Sequence, residues 1–397
     1  MAQQVLVLNA GSSSLKYQVV DPGTGAAAVH GIVERIGSGD ARLTHTDTDG
    51  TQRRELAADD HRAALTAVHD ALDSSGVTEA QLAAVGHRVV HGGPRLTRTL
   101  VVDDDVLAEI ERLARLAPLH NPPAVDGIRS ARAAYPSLPQ VAAFDTAFFA
   151  DLPAPAATYA LERGLAEREE IRRYGAHGIS HAYVAAEAAG LLGRDPDGLA
   201  LVTLHLGNGA SAAAIRGGRP VDTSMGLTPL EGLVMGTRAG DLDPGILLHL
   251  VRHAGFGLDD LEDLLHHRSG LEGLAGCHDF RDLLAAVDAG EAAARTAYDV
   301  YCHRLRKYVG AYLAVLGGAD AVVLTAGVGE HVPRLRADAL AGLTRLGVAV
   351  DPARNAAPAA GPRVISPDSS PVTVLVVPTN EELAIARQVV AVLAGRL

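Results

Sequence analysis

The segment that most strongly predicts the fold is Leu199-Ala200-Leu201-Val202-Thr203-Leu204-His205-Leu206-Gly207-Asn208-Gly209-Ala210-Ser211. Its apolar part has the length and β-branched content of a buried strand, and that pattern stops at the Gly-Asn-Gly triplet. Successive backbone amides in a glycine turn can surround a phosphate, because glycine has no Cβ to hold the anion away. An ordinary hairpin, with residues 210–215 as the return strand, explains the same residues. Taken alone, the segment favours the hairpin.

The same arrangement occurs at two other places in the chain. The apolar run at residues 5–8 precedes a turn rich in glycine and hydroxyl groups that ends on Lys16. The run at residues 321–326 precedes Gly327-Val328-Gly329-Glu330 and then a helical pattern. None of the three turns matches a P-loop or a dinucleotide-binding fingerprint. Three strands that each end in a glycine turn predict an α/β protein with repeated anion-binding turns.

Composition places the chain among soluble globular α/β proteins with two or three domains. Its 397 residues are 48% hydrophobic and 21% charged, and predicted strands and helices alternate. The formal net charge of −12 argues against nucleic acid as a partner, since phosphate backbones need a basic face. The sequence shows no signal-peptide or membrane-span pattern. Cys277 and Cys302 fit no disulfide or metal spacing, so we expect a cytoplasmic protein.

Several local patterns predict how the chain is organised. Residues 27–57 have the short β-like runs of an antiparallel meander. Asn121, followed by Pro122, is expected to cap a helix that runs to residue 135. Pro153 and Pro155 mark the expected domain boundary. Residues 225–244 are dense in glycine and charge without a helical period, and so long an irregular stretch is usually functional.

Arg88 and Arg238 are the arginines that lie on glycine-flanked, non-helical segments. A guanidinium binds phosphate or carboxylate through two parallel hydrogen bonds, and flanking glycines let a substrate approach closely. The alternative for Arg238 is a surface ion pair with Asp241 or Asp243. The spacing alone does not decide between the two.

Four further residues could contribute chemistry or only structure. Asp145, at a strand end, could hold a metal-bound water or cap the next turn, and capping is the commoner role. His177 and His205 could donate to a phosphoryl oxygen, although a histidine at a strand end is more often structural. Glu381 is most simply a first-turn negative charge of the last helix.

A set of motifs across the whole chain resembles one family. They are, in chain order, VLVLNAGSSSLK (5–16), HRVVHGG (87–93), APLHNP (117–122), FDTAF (144–148), HLGNG (205–209), MGTRAGD (235–241) and TNEE (379–382). In sequence and in order they are similar to the motifs of acetate kinases. Together they are specific to kinases that form acyl phosphates, but they do not single out acetate.

The resemblance implies a fold and a reaction. The fold would be α/β, with duplicated actin-like (ribonuclease H-like) domains that face a nucleotide cleft. The domains would be residues 1–152, joined by the C-terminal helix 382–397, and residues 153–381, which would bind nucleotide and dimerise. The reaction would be reversible, direct in-line phosphoryl transfer from MgATP to acetate, giving acetyl phosphate and ADP, with Mn²⁺ as a possible substitute for Mg²⁺. The expected partners are acetate, ATP and a second copy of the chain.

The resemblance also implies roles for individual residues. Those expected around the transferred phosphoryl group are Arg88, Asp145, His177 and Arg238, and those on the Mg²⁺ side are Asn9 and Glu381. The residues implied to bind nucleotide are Ser12, Ser14, Lys16, His205, Leu206, Gly207, Asn208, Gly209, Asp279, Phe280, Arg281, Gly327, Val328, Gly329, Glu330 and His331. The residues implied to bind the acid are Arg88, Val90, Leu119, Ala176 and Pro229.

A few positions depart from the family pattern. Ala176 stands where a phenylalanine usually precedes the active-site histidine, and Ile179 stands where a threonine usually follows. The preference between acetate and propionate as substrate therefore stays open. Phe149 replaces a histidine behind Asp145, and His331 replaces an asparagine at the nucleotide edge. The alternatives are therefore a propionate or short-chain acyl kinase and a non-metabolic actin-like ATPase. Arg88 argues against the ATPase, which would need no second arginine to face a carboxylate.

Overall fold

The computed structural model describes residues 4–11, 13–359 and 361–396. The chain divides into two compact units, Met1–Ala150 with Asn380–Leu397, and Asp151–Thr379.

The first unit is built on an eight-stranded sheet. Its strands are β1 (Gln4–Ala10), β2 (Ser14–Val20), β3 (Ala27–Glu34), β4 (Ala41–Asp47), β5 (Gly50–Leu56), β6 (Leu82–Val89), β7 (Leu100–Val101) and β8 (Gln140–Phe144). Its helices before residue 150 are α1 (His61–Ser74), α2 (Asp104–Arg112) and α3 (Asn121–Ala134). The strand order is β5-β4-β3-β2-β1-β6-β8-β7, with β1 to β5 antiparallel and β6 parallel to both β1 and β8. The predicted meander at residues 27–57 is therefore confirmed.

The second unit contains a six-stranded sheet surrounded by helices. Its strands are β9 (Ala200–Leu206), β10 (Ala210–Arg216), β11 (Arg219–Thr223), β12 (Ala321–Thr325), β13 (Arg363–Val364) and β14 (Thr373–Val376). Its helices are α4 (Ala154–Ala157), α5 (Arg163–Arg168), α6 (Gly178–Leu192), α7 (Pro244–His253), α8 (Leu258–His267), α9 (Gly270–Ala275), α10 (Phe280–Asp288), α11 (Ala292–Leu316), α12 (Ala326–His331), α13 (Pro333–Leu340) and α14 (Pro352–Ala356). The order is β11-β10-β9-β12-β14-β13.

The two sheets repeat one strand pattern. In each, an antiparallel meander of three strands is followed by two strands parallel to the first, namely β1-β2-β3 with β6 and β8, and β9-β10-β11 with β12 and β14. The carboxyl ends of the parallel strands meet at one edge of each sheet, where α/β proteins bind ligands. The predicted duplication of an α/β domain is confirmed.

The last helix, α15 (Glu381–Leu393), belongs to the first unit although it follows the whole second unit in the chain. It packs on β6 at Gly86, where an added Cβ would lie 3.0 Å from the side chains of both Ile385 and Val389. Glycine at this position of a buried strand lets the helix approach the backbone closely.

Two local expectations are wrong. Gly327-Val328-Gly329-Glu330 is not a turn, because these residues form most of α12, which begins directly after β12. Asn121 does not cap α3: the cap position is His120, and Asn121 is the first helical residue. The buried Asn121 amide instead accepts from the His91 N–H and donates to the carbonyls of His91 and Ile110. Long-range hydrogen bonds thus take the place of the expected local one.

Candidate active site

In the first unit, three polar side chains meet at the carboxyl ends of parallel strands. Arg88 is near the end of β6, and Asp145 directly follows β8. The Arg88 guanidinium donates to Asp145 through Nε (3.2 and 3.3 Å) and Nη2 (2.8 Å), and Nη1 lies 3.2 Å from Glu381 Oε2. The side chains of Arg88, Asp145 and Glu381 are 17%, 1% and 14% exposed. Asp145 is therefore more than a turn cap, because it is half of a buried ion pair.

Charge in this cluster is unbalanced. Burial by itself would lower the pKa of Arg88, but the carboxylates of Asp145 and Glu381 outweigh burial and raise that pKa. The arginine is therefore charged throughout the physiological pH range. Two carboxylates face one guanidinium, so the cluster carries excess negative charge.

The same cluster has features that fit a divalent cation. Glu381 Oε1 is buried and has no hydrogen-bond partner among the described residues, so one carboxylate oxygen is desolvated and unused there. Asn9, near the end of β1, follows Leu8, which pairs with His87 on β6, so Asn9 and Arg88 are at the same edge of the sheet. Carboxylate and amide oxygens suit Mg²⁺, which takes few protein ligands when it arrives with phosphates. In keeping with this, no group of three or more His, Cys, Asp or Glu in the described part of the chain could hold a metal by itself.

The first predicted phosphate turn joins β1 to β2 as a hairpin. Ser12 lies outside the described residues. The Gly11 N–H donates to the Ser14 carbonyl (2.8 Å), and His61 Nε2 lies 2.7 Å from the Gly11 carbonyl. Lys16 is exposed on β2. The turn is thus held by backbone and histidine contacts, and its cation is open to solvent.

In the second unit, His177 has a backbone conformation that is rare for a residue with a side chain. Its φ of 57° is left-handed, and it occupies the cap position of α6. Its ring stacks on that of His205, with centroids 4.2 Å apart, and Nδ1 lies 2.9 Å from Ser211 Oγ. Strained backbone of this kind is characteristic of functional sites. The contacts with His205 and Ser211, in addition to the local sequence, therefore hold His177 in this conformation.

Arg238 is a half-buried cation without a counter-charge among the residues that the structure describes. Burial lowers its pKa to about 10. Nη1 donates to the Pro229 carbonyl (2.8 Å), and no carboxylate lies within ion-pair distance among the residues that the structure describes. The alternative ion pair is wrong, because Asp241 pairs with Arg304 and accepts from Tyr308, whereas Asp243 caps α7. An unpaired buried charge is costly, so this guanidinium is suited to an anion.

The glycine turn at residues 207–209 links β9 to β10, so the hairpin expected from the sequence is present. It also lies beside the cations, because a Cβ on Gly209 would be 2.7 Å from Arg238 Nη2 and 3.4 Å from His177 Nε2. The Gly236 N–H donates to the Asn208 carbonyl (3.0 Å), which ties the turn to the irregular segment. Leu206 is fully buried behind the turn. Glycine at 209 leaves a cradle that a methyl group would fill.

Residues expected to hold the adenosine fall into two groups in the second unit. In α12, Glu330 Oε1 accepts from the Thr379 N–H (3.1 Å) and Thr325 Oγ1 (3.3 Å), and His331 is exposed. The buried Arg336 donates to the Gly329 and Glu330 carbonyls and so fixes the end of this helix.

In the other group, Asp279 caps α10, and a hydrogen bond from Arg281 lowers the pKa of Asp279 to about 2. Phe280 between them is in the hydrophobic core against Tyr301, with ring centroids 5.2 Å apart. Of Asp279, Phe280 and Arg281, only the two charged residues have exposed surface that a ligand could contact.

The residues expected to contact the acid lie in both units. Val90 and Leu119 are half-buried in the first unit, and Pro229 is half-buried in the second. Ala176 is only 3% exposed and belongs to the hydrophobic core of the second unit, as a neighbour of the buried Ile179. Phe149 is fully buried and packs edge-on against Phe148.

Sequence reasoning missed several residues that position the site. Hydrogen bonds join Ser211 to His177 and Ser180 to His205, the two stacked histidines. His181 bonds to Ser211 and Thr203, and Arg336 donates to a carbonyl of α12. The spacing of His177 and His181, four residues apart, was a usable signal, because such residues share a helix face. The hydroxyl groups gave none, because their partners come from other elements.

Comparison with known proteins agrees with this geometry. The acetokinase family model matches residues 4–387. An acetate kinase of Leifsonia xyli subsp. xyli is 55% identical over 98% of this chain and 99% of its own. The crystal structure of Porphyromonas gingivalis acetate kinase superposes with a TM-score of 0.93 at 39% identity, covering 99% and 100% of the two chains.

A second solved structure differs in its named substrate. It is a propionate kinase from Francisella tularensis subsp. tularensis, with a TM-score of 0.92 and 36% identity over 97% of this chain and 98% of that one. No helix among the described residues is long and apolar enough to cross a bilayer.

The extent of the family match and the full-length relatives lead to one conclusion: this chain belongs to the acetokinase family.

Proposed function

We propose that the chain is an ATP:acetate phosphotransferase, which converts acetate and MgATP to acetyl phosphate and ADP reversibly. The observation that carries the proposal is Arg238, a half-buried guanidinium without a carboxylate partner among the described residues, beside His177 and the glycine turn. A phosphoryl group supplies the missing negative charge. Membership of the acetokinase family supports acetate as its acceptor.

The proposed chemistry needs no general base. A carboxylate oxygen of acetate forms a bond to the γ-phosphorus while the bond to the β,γ-bridging oxygen breaks, and the electron pair leaves with ADP. The protein has to hold two anions in line and stabilise charge on the phosphoryl oxygens. Arg238 and His177 would provide this stabilisation, and the backbone amides of Asn208 and Gly209 would hold neighbouring phosphates. The Gly207 N–H already donates to the Gly209 carbonyl (3.0 Å).

Arg88 is proposed to bind the acetate carboxylate, with Asp145 and Glu381 as its positioning partners. Asp145 engages Nε and Nη2 of the guanidinium and so fixes its plane. A fixed guanidinium loses little entropy when it binds a second anion. Asn9 and Glu381 would hold Mg²⁺, or Mn²⁺ in its place, and the ion would offset phosphate charge when bound.

The second candidate is a kinase for a longer acid. Two observations favour it: alanine at position 176, where the family usually has phenylalanine, and a propionate kinase among the similar structures. The buried Ile179 beside it opposes it, because a larger side chain can restore the lost volume. We propose partial compensation, so that propionate is used within about 10-fold of acetate in kcat/KM.

The deciding experiment measures ADP release with acetate, propionate, butyrate and no acid. Acetate-dependent release with propionate within about 10-fold supports the proposal. Release that is equal with and without acid would identify an ATPase. A preference for propionate or butyrate above about 10-fold would identify a longer-chain kinase.

We also propose a homodimer formed through α7. No residue of this helix is buried, and its apolar residues Ile246, Leu248 and Val251 are 43%, 55% and 46% exposed. Leu242 and Leu258, on either side of the helix, are exposed as well. Exposed apolar residues this dense indicate an interface, and a second copy is the simplest occupant.

Light scattering after size exclusion tests the dimer. Leu248→Glu with Val251→Glu should yield monomers, whereas Leu191→Glu, at a leucine on α6 that is 40% exposed, should leave the mass unchanged. A monomeric wild type would contradict the proposal.

The free thiols of Cys277 and Cys302 fit the cytoplasmic location that we propose for the protein.

A further inference from the structure

A chain of three hydrogen bonds connects Thr203, deep in the second unit, to His177. Thr203 Oγ1 lies 2.7 Å from His181 Nδ1, and His181 Nε2 lies 2.8 Å from Ser211 Oγ. Ser211 Oγ in turn lies 2.9 Å from His177 Nδ1. Thr203, His181 and Ser211 are all fully buried. Each link joins two groups that can both donate and accept, so the positions of the hydrogens need a separate argument.

Thr203 sets the direction of the chain. Within the described residues its hydroxyl has one hydrogen-bond partner, His181 Nδ1. If the hydroxyl accepted from that nitrogen, its own hydrogen would be buried without an acceptor, which is the costlier way to leave a polar group unsatisfied. Thr203 therefore donates, and His181 Nδ1 accepts.

The remaining hydrogens follow from this first one. His181 is fully buried, and burial lowers its pKa well below the ordinary value, so the ring is neutral and has one N–H. With Nδ1 accepting, that hydrogen is on Nε2 and is donated to Ser211 Oγ. The Ser211 hydroxyl then donates to its other partner, His177 Nδ1. A neutral His177 therefore has its hydrogen on Nε2.

We infer that Thr203, acting through His181 and Ser211, fixes neutral His177 in the Nε2–H tautomer. Nε2 is the ring nitrogen within 3.4 Å of the position that a Cβ on Gly209 would occupy, beside Arg238 Nη2. His177 thus presents a hydrogen-bond donor to the space where an anion would lie. Its use as a donor to the transferred phosphoryl group rests on the proposed function.

A neutral donor is well suited to its surroundings. Among the described residues, the charged or titratable groups close to His177 include Arg238, at the Gly209 turn, the stacked His205 and the neutral His181. A protonated ring would add a second positive charge beside the unpaired Arg238. A preset tautomer provides the hydrogen bond without that charge and keeps it at pH values above the ordinary histidine pKa.

The test compares Thr203→Val, which keeps the shape but removes the hydroxyl, with Thr203→Ser, which keeps the hydroxyl. Protein labelled with ¹⁵N-histidine is examined at pH 8, without substrate, by long-range ¹H–¹⁵N correlation spectra that distinguish the two tautomers. Wild type and Thr203→Ser should show His177 with hydrogen on Nε2. Thr203→Val should show a mixture or the Nδ1–H form. Ser211→Ala, which removes the last link, serves as a second variant if Thr203→Val does not fold.

Kinetics supply an independent readout of positioning. The kcat/KM of Thr203→Val, divided by that of wild type, should fall about 10-fold between pH 6 and pH 8, because the variant depends on protonated His177 for an Nε2 hydrogen. A purely structural role would lower this ratio equally at both pH values and would overturn the inference. So would an Nδ1–H wild type, or a tautomer unchanged in both Thr203→Val and Ser211→Ala. Absence of acetate-dependent ADP release would contradict the proposed function but leave the tautomer result standing.

Discussion

A methyl group added at Gly209 should impair turnover without unfolding the protein. Gly209 has an ordinary backbone conformation, because its φ is outside the left-handed range, so alanine introduces no backbone strain there. Its new Cβ would lie 2.7 Å from Arg238 Nη2 and 3.4 Å from His177 Nε2. The effect of Gly209→Ala is therefore confined to these two side chains and to the anion that they are proposed to bind.

The structure gives the size of the displacement. Ordinary contact begins at 3.4 Å, so Arg238 Nη2 must retreat by about 0.7 Å from the new Cβ, although Nη1 of the same guanidinium is held by a 2.8 Å hydrogen bond to the Pro229 carbonyl. Misplacing a positioning group by ~1 Å can cost about 10²-fold in rate. We expect kcat to fall by about 10- to 100-fold. Because the guanidinium is the flexible end of a long side chain, the free energy of unfolding should change by less than about 1 kcal/mol.

The assay is coupled ADP release at saturating acetate and MgATP, with thermal unfolding of the same samples. Gly190→Ala is the matched control: no atom lies within 4 Å of its added Cβ, and the residue is on α6. Alanine in a helix stabilises by about 0.5–1 kcal/mol over glycine, so this control should keep kcat and gain stability. Wild-type turnover in Gly209→Ala would refute the proposed placement of the anion between Arg238 and His177.

The other predictions concern charge and packing. Arg238→Met and Arg88→Met should both lower kcat by ~10³-fold or more. The changes in unfolding free energy should differ in sign, because Arg238→Met removes an unpaired charge, whereas Arg88→Met removes the cation that pairs with the buried Asp145 and costs about 3–5 kcal/mol. Equal destabilisation in urea titrations would contradict this. Burial lowers the pKa of His87 to about 4, so the unfolded state binds more protons below its own pKa of about 6.5. Stability is full above pH 6.5 and should fall by about 3 kcal/mol as the pH drops to 4, and an unchanged slope in His87→Gln would exclude His87 as the cause. Ala176→Phe should destabilise by about 1–3 kcal/mol by overpacking a core position, and an unchanged melting temperature would show that the site has room.

Much of the fold follows from local patterns in the sequence. The apolar run at 199–206 with its glycine turn is a strand and hairpin, and the alternation at 27–57 is a meander. These features are predictable because strand length, β-branched content and turn residues act over a few positions. The third glycine segment, residues 327–330, was predicted wrongly because it forms a helix. Arg336, several residues further along the chain, stabilises that helix by donating to the carbonyls of Gly329 and Glu330.

The site was predictable by residue type but not by environment. Arg238 was a candidate anion ligand or ion-pair partner in the sequence. That it has no carboxylate partner among the described residues depends on Arg304 and Tyr308, distant helical residues that contact Asp241. Thr203 and Ser211 gave no signal, because their importance comes from the alignment of β9 and β10 with α6. Electrostatic and hydrogen-bond partners that come from other elements are tertiary properties, and a single sequence does not contain them in local form.

The close fit of α15 against Gly86 has a consequence for biosynthesis. The first unit consists of two pieces of chain, and Asp151–Thr379 must be translated between them. At about 5–20 residues per second, that takes roughly 10 to 50 s. Throughout this interval the face of β6 that receives Ile385 and Val389 lacks its cover, and Arg88 lacks Glu381. The nascent chain therefore has a defined apolar surface for a chaperone, and the arginine cluster is completed only after the second unit has left the ribosome.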